Sequence, residues 1–459
     1  MSLQALKPLI HLLPEIQAPR EKPVIKERLK WTGFALLVFA IMGVIVPIGM
    51  GAADQSGFLQ NLQLITASKI GTLATLGIGP IVLASIILQL LVGAQIINVN
   101  LQNADEKKLF QGLQKLMGIL FCFIEGSIYV ASGFVPAGPG ALTGFLLIFQ
   151  LAFAGILLMY LDEIVSKYGI GSGVGLFIAA GVSFTVIWQA FSWVTVQGTG
   201  TYVGLIPQLL SGLLSGDIPE TAVFPLIFTV IVFLMVVFVE SMKIEIPLAW
   251  GKVRGFGARY PLKFLYVSNI PVILAAALFA NLQLWGVALQ GAGFPILGEF
   301  QQGQAVSGIA YYLRAPYGDL STPTRVGITL SDPNLMLNIL LYTIVLVVFC
   351  VLFGKFWVNM SNMGSKSVAA QLQNVGLHVP GFRRDTRVIE TVLDRYIPVI
   401  TVLGSVAVGL LAVIADLTGA LGTGTGILLT VGIIYKMYEE LASQQAFEMM
   451  PQLKSFMGG

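Results

Sequence analysis

The run LATLGIGPIVLASIILQLLVGAQIIN, residues 73–98, contains no Asp, Glu, Lys, Arg or His. A bilayer core about 30 Å thick is crossed by about 20 apolar residues of helix, so this run is a membrane span. Comparable charge-poor runs lie near 31–50, 111–134, 141–161, 171–193, 221–239, 264–285, 335–354, 396–415 and 417–435. Across all 459 residues 56% are apolar and 11% charged, against about 25% charged in an ordinary soluble domain. The expected fold is an all-α membrane protein with ten transmembrane helices.

Six Lys or Arg precede the first run, with no short apolar core and small-residue cleavage site, so the first span is expected to be retained rather than removed as a signal peptide. Residues 6–16 mix apolar residues with Pro8 and Pro14. They fit either a short amphipathic piece on the membrane surface or a disordered leader. Cys122 and Cys350 both fall inside spans, where cysteine behaves as a small core hydrophobe. No disulfide framework, metal site or cofactor is implied.

A cytoplasmic N-terminus puts 23 of the 26 Lys and Arg inside and leaves Lys69, Arg314 and Arg325 outside. The positive-inside bias therefore sets the topology, with both termini cytoplasmic. Five spans is an odd number, so two five-span halves would run inverted relative to one another. Pro80-Ile81-Val82-Leu83-Ala84 in the second span is echoed by Pro271-Val272-Ile273-Leu274-Ala275 in the seventh. An inverted repeat places a shared site between the halves near the midplane. The expected division is a cytoplasmic segment 1–30, a first half 31–194, an external linker 195–220, a second half 221–441 and a cytoplasmic tail 442–459.

Residues 51–70 are too polar to cross hydrocarbon, yet Phe58, Leu62 and Ile65 recur at helical spacing. A re-entrant helix packed inside the protein and a surface loop both fit. Gly77, Gly79, Pro80, Gly171, Gly173, Gly175 and Pro271 are helix breakers inside spans, at hinges or at close helix packing. Gly422-Thr423-Gly424-Thr425-Gly426 has the look of a phosphate loop, but no Lys follows, so it is taken as a packing segment. Phe39 is taken to face lipid.

Ionisable residues at depth are scarce, with Glu125 the clear case, Asn281 a polar companion and Asp416 near a span end. An ion-coupled transporter with inverted repeats usually carries more such groups. Histidine is confined to His11 and His378, outside the spans, and no HExxH motif occurs, so catalysis is not expected. A membrane-protein insertase without a through pore is a further alternative.

Several local strings resemble the SecY family, the large subunit of the Sec translocon, in its archaeal and eukaryotic branch. They are Thr66-Ala67-Ser68-Lys69-Ile70-Gly71-Thr72-Leu73 with Thr75-Leu76-Gly77-Ile78-Gly79-Pro80-Ile81-Val82, Leu161-Asp162-Glu163-Ile164-Val165-Ser166-Lys167-Tyr168-Gly169-Ile170-Gly171-Ser172-Gly173, and Tyr266-Val267-Ser268-Asn269-Ile270-Pro271. Gly308-Ile309-Ala310-Tyr311-Tyr312-Leu313 and Gly424-Thr425-Gly426-Ile427-Leu428-Leu429 follow in order, so the resemblance covers nearly the whole chain.

The resemblance implies a protein-conducting channel of two inverted five-helix halves around a central pore, opening sideways through a lateral gate. It implies a pore ring of Ile78, Val82, Val174, Ile178, Ile273 and Leu429, all aliphatic, and a hydrophobic constriction resists ions by dewetting. Residues 59–70, with Leu59, Leu62, Ile65 and Thr66, are similar to the plug helix. Glu125 and Asn281 fall on the family's polar cluster at the gate, whereas a third, commonly polar position of that cluster is Leu83. Lys252, Arg254, Arg259, Arg383, Arg384 and Arg387 lie in two cytoplasmic loops where family members dock ribosomes. SecE-like and β-type small subunits, signal-bearing nascent polypeptides and membrane lipid are the other implied partners. The implied location is the cell membrane, or alternatively the endoplasmic reticulum.

Overall fold

The computed structural model describes residues 8, 10, 13–19, 23–51, 69–93, 96–97, 103–195, 201–216, 219–250, 257–301, 303–374, 376–378 and 385–449. Helices occupy all ten predicted positions. The first set is α1 (Ile25–Met42), α2 (Gly79–Gly93), α3 (Ala104–Ala131), α4 (Ala141–Tyr168) and α5 (Gly173–Phe191). A short helix, α6 (Leu205–Ser215), leads to α7 (Glu220–Ser241) and, after a hairpin of β1 (Lys243–Trp250) and β2 (Gly257–Lys263), to α8 (Ile270–Gly291). The two-residue strands β3 (Phe300–Gln301) and β4 (Gln304–Ala305) and the short helices α9 (Gly308–Tyr312) and α10 (Pro323–Ser331) precede α11 (Pro333–Met360). Next come α12 (Ser365–Asn374), β5 (Leu377–His378), α13 (Thr386–Leu417) and α14 (Gly424–Met449).

Local chemistry sets most of the helix starts. Asn103, Asp332 and Asp385 each accept a backbone N–H of the turn they precede, the usual N-cap bond. Pro271 and Pro333 stand in the first turn of their helices, where proline loses nothing. Pro80 is likewise the second residue of α2. These prolines therefore begin helices rather than break them, which corrects the expectation of breakers inside the spans. The first helix also starts earlier and stops sooner than hydropathy predicts. Val44-Ile45-Val46 lead into Pro47, and a residue before proline is driven from helical to extended backbone.

Eight of the described helices are long and apolar enough to cross a bilayer: α2 with the turn before it, α3, α4, α5, α7, α8, α11 and α13. The other two predicted spans are helical but charged, α1 by Lys26, Glu27, Arg28 and Lys30, and α14 by Lys436, Glu439 and Glu440.

Helix adjacency is duplicated. Within the first set α1 packs on α4 and α5, α2 on α3, α3 on α4, and α4 on α5. Within the second, α7 packs on α13 and α14, α8 on α11, α11 on α13, and α13 on α14. Counting spans in order, these are the same pairs. The sets meet along two seams, one where α2 and α3 face α8 and α11, the other where α5 crosses α14.

One feature of the two basic loops escaped the hydropathy pattern. The segment treated as a basic loop forms the antiparallel hairpin β1–β2, and β5 adds to β1 with Ala249 opposite His378. Ile246, Leu248 and Leu262 of this sheet are buried against Val368 and Leu372 of α12 and Ile389 and Leu393 of α13.

Candidate functional site

The six aliphatic residues assigned to a ring all fall at or just inside the starts of four helices. Ile78 directly precedes α2, and its carbonyl accepts Val82 N at 3.1 Å. In α8 the same bond runs from Ile273 N to Asn269 O, also 3.1 Å. Val82 and Ile273 thus hold equivalent first-turn places, as the sequence echo predicts. Val174 and Ile178 lie in the first two turns of α5, and Leu429 in the second turn of α14. All six belong to one contiguous apolar cluster, with Ile78, Val82, Ile178 and Leu429 buried and Val174 and Ile273 partly so.

The segment leading into α2 is tightly turned. Thr72 Oγ1 accepts Ala74 N at 3.2 Å and donates to Lys69 O at 2.6 Å. Gly77 adopts φ +54°, a left-handed conformation that costs a side-chain-bearing residue. The residues assigned to the plug, Leu59, Leu62, Ile65 and Thr66, lie outside the described residues.

Glu125 of α3 and Asn281 of α8 are both buried, at 3% exposure each, on helices that pack together. They are not hydrogen-bonded to each other. Asn281 Nδ2 donates to Ala277 O of its own helix at 2.9 Å, and Glu125 Oε1 has no partner among the described residues. Leu83 is fully buried beside Ala84 and Phe121, with Ile87, Met117 and Trp285 around them. The seam between α2–α3 and α8–α11 is therefore mostly an apolar contact with two separate polar groups. Hydropathy singled out Glu125 but passed over Gln89 in α2 and Gln283 in α8, buried at 1% and 3%. A lone amide in an apolar run was their only sequence signal. Gln283 Nε2 donates to Ala310 O at 2.9 Å and Asn338 Nδ2 to Tyr311 O at 2.6 Å, tying the short helix α9 to α8 and α11.

Arg259 and Arg387 are exposed on the sheet and at the start of α13. Arg259 bonds Glu245 across the hairpin at 2.8 Å, and this bond holds the Glu245 carboxyl below the usual carboxylate range. Lys252, Arg254, Arg383 and Arg384 lie outside the described residues. The pairing of β1 with β5 brings the two basic loops to one sheet, a convergence with no signal in the sequence.

Phe39 does not face lipid, because its ring stacks on Phe177 with centroids 4.9 Å apart. Leu37, 58% exposed, faces outward instead.

Fold and site together define a polytopic α-helical membrane protein whose two helix sets share one pattern of neighbours and pack into a common apolar core. The SecY family model matches residues 72–438. The protein translocase subunit SecY of Methanococcus vannielii is 48% identical over 455 residues, 99% of this chain and 99% of that one. A solved structure described as that of a protein conducting channel is 48% identical, with TM-score 0.85 over 97% of this chain and 98% of that chain. Sec61 in the canine ribosome–channel complex from the endoplasmic reticulum is 47% identical, with TM-score 0.81 and the same coverages. The chain belongs to the SecY family.

Proposed function

We infer that this chain is the channel-forming subunit of a Sec-type protein translocase, passing unfolded secretory polypeptides across the membrane and releasing transmembrane segments sideways. The observation that carries the reading is that Ile78, Val82, Val174, Ile178, Ile273 and Leu429 stand at four helix starts, two in each helix set, and all belong to the same apolar cluster. Such side chains can close around one another to exclude ions and yield to a passing chain without hydrogen-bonding to it. Ten spans in two inverted halves, with both termini cytoplasmic, accord with the charge bias and with the duplicated helix adjacency.

The lateral gate is the seam of α2 and α3 against α8 and α11. An apolar segment leaving there gains on the order of 0.3–0.6 kcal/mol per central Leu, Ile, Phe or Val on entering lipid. Glu125 and Asn281 supply the seam's polar groups. Residues 59–70 act as the plug beneath the ring and move aside when it opens. Ribosomes dock on the basic loops through Lys252, Arg254, Arg259, Arg383, Arg384 and Arg387, which pair with RNA phosphates; a relative solved in a ribosome–channel complex supports this. SecE-like and β-type small subunits hold the two halves in the cell membrane. The protein is not an enzyme. The sequence holds no nucleotide-binding motif, so the push comes from chain elongation or a separate motor.

Photocrosslinkers at Ile78, Val82 and Ile273, with Leu37 as the lipid-facing control, test the path in membranes carrying a ribosome-stalled secretory chain. Crosslinks at the three ring positions and none at Leu37 are expected. An engaged chain that crosslinks to none of the three overturns the path.

A further inference from the structure

The seam where α5 crosses α14 carries a local two-fold relation at the level of single bonds. Ile170-Gly171-Ser172-Gly173-Val174-Gly175-Leu176-Phe177-Ile178 leads into α5, and Leu421-Gly422-Thr423-Gly424-Thr425-Gly426-Ile427-Leu428-Leu429 into α14. Three glycines and a hydroxyl residue coincide, and Ile178 stands where Leu429 stands. Gly171 and Gly422 both adopt φ +70°; the next residues differ, Ser172 being extended and Thr423 left-handed at φ +61°.

Each corner is gripped by the opposite helix at matched positions. Gly171 N donates to Glu440 Oε2 of α14 at 3.1 Å, and Gly422 N to Gln189 Oε1 of α5 at 2.8 Å. A methyl group on Gly175 would stand 3.5 Å from Ile433, and one on Gly426 3.1 Å from Val182. Each residue of one corner has its counterpart the same number of positions further along the chain in the other: Gly171 and Gly422, Gln189 and Glu440, Gly175 and Gly426, Val182 and Ile433.

The first turn of each helix is held twice. Ser172 Oγ accepts Gly175 N and Thr423 Oγ1 accepts Gly426 N, both at 3.2 Å; these are local caps, which define a helix start but not its place in the fold. The second hold comes from the preceding helix. Asp162 Oδ1 of α4 accepts Val174 N at 2.8 Å. Asp416 Oδ1 of α13 accepts Gly424 N at 2.9 Å and Thr425 N at 3.2 Å. Backbone contact is so close that a methyl group on Gly173 would lie 2.5 Å from Asp162 Cα, and one on Gly424 2.0 Å from the Ala415 carbonyl carbon. Asp416 is 2% exposed and its Oδ2 has no partner among the described residues. A half-satisfied buried carboxylate is an expensive way to cap a helix that Thr423 already caps, which points to a task beyond capping.

We propose that Asp162 and Asp416 are paired positioning residues of the conduction path, each pinning the first turn of a pore helix to its neighbour and so placing Ile178 or Leu429 in the constriction. The carboxyl oxygens accept first-turn N–H groups that no residue of the helix itself can satisfy, and the helix carries that placement rigidly to the ring side chain little more than one turn on. The proposal rests on the ring assignment made above.

The test is the resting ion leak of the full-length channel complex in proteoliposomes, with accumulation and thermal unfolding measured in parallel. Asp162→Ala and Asp416→Ala each raise the leak roughly tenfold, the shift in population expected from losing one or two buried hydrogen bonds. Asp162→Asn and Asp416→Asn keep the acceptor oxygen and restore most of the seal. The deciding readout is a double-mutant cycle. Asp416→Ala adds nothing to the leak of Leu429→Gly but multiplies that of Ile178→Gly, and Asp162→Ala does the reverse. Equal multiplication with both ring variants, or no leak from either alanine variant, overturns the proposal. If Asp416→Ala does not accumulate, Gln189→Leu, which removes only the bond onto Gly422 N, takes its place in the same cycle. If neither Ile178→Gly nor Leu429→Gly leaks, the ring assignment itself has failed, and the positioning role with it.

Discussion

Replacing Leu83 with alanine should loosen the seam between α2–α3 and α8–α11. Leu83 is fully buried, packed with Phe121 of α3 on its own side and near Trp285 of α8 across the seam. In a soluble core, Leu→Ala costs about 2.7–5.0 kcal/mol, combining transfer from water and a cavity. Here the transfer part largely drops out, because an opened seam exposes Leu83 to lipid or to an apolar signal segment rather than to water. What remains is the lost packing, about 1–3 kcal/mol. Only the part facing α8 distinguishes closed from open, so the lower end applies, about 1 kcal/mol or roughly fivefold in the closed-to-open ratio. The assay is translocation into proteoliposomes of a precursor whose signal segment has been shortened until the wild-type channel barely accepts it. Acceptance should rise roughly fivefold in the variant. A variant that accumulates and unfolds like wild type, yet accepts the weakened signal no better, would refute the assignment of this seam as the gate.

Four further outcomes follow, three of them from the surroundings of individual residues. Gly424→Ala forces a methyl group to within 2.0 Å of the Ala415 backbone and should cost about 3 kcal/mol or more, seen as a lowered unfolding temperature. Gly33→Ala, with nothing within 4 Å, should be neutral or slightly stabilising. Burial raises the Asp319 carboxyl above its usual range despite the opposing effect of Arg314 and Arg325. The folded state therefore binds that proton more readily, so its contribution to stability is present below the unfolded carboxylate pKa and is lost as pH rises through the folded value. Asp319→Asn should accordingly gain stability relative to wild type as pH rises above the ordinary carboxylate range, and an unfolding series with no such pH-dependent gain would count against the burial argument. Replacing Arg383 and Arg384 with alanine should weaken ribosome binding and flatten its dependence on the logarithm of salt concentration by roughly 0.7–0.9 per lost phosphate contact, measured by cosedimentation across a salt series. An unchanged slope would remove these two residues from the docking surface.

The sequence alone determined the solvent and most of the helices, because hydrocarbon admits only backbone whose hydrogen bonds close internally and so leaves long charge-poor runs. It also carried the match between Pro80-Ile81-Val82 and Pro271-Val272-Ile273, since equivalent helix starts demand equivalent residues. The ring assignment of Ile78, Val82, Val174, Ile178, Ile273 and Leu429 rests on family resemblance, because nothing in their local sequence singles them out. An aliphatic residue in an apolar helix gives no sign of whether it faces lipid, a neighbour or a path, and Phe39 was misplaced for that reason. The tertiary structure alone decided that Glu125 and Asn281 are not bonded to each other, that β5 joins two distant loops on one sheet, and that Gln189 and Glu440 each reach the opposite corner. Such pairings depend on where two helices cross, and a crossing is fixed by the packing of many side chains at once, so no local pattern encodes it.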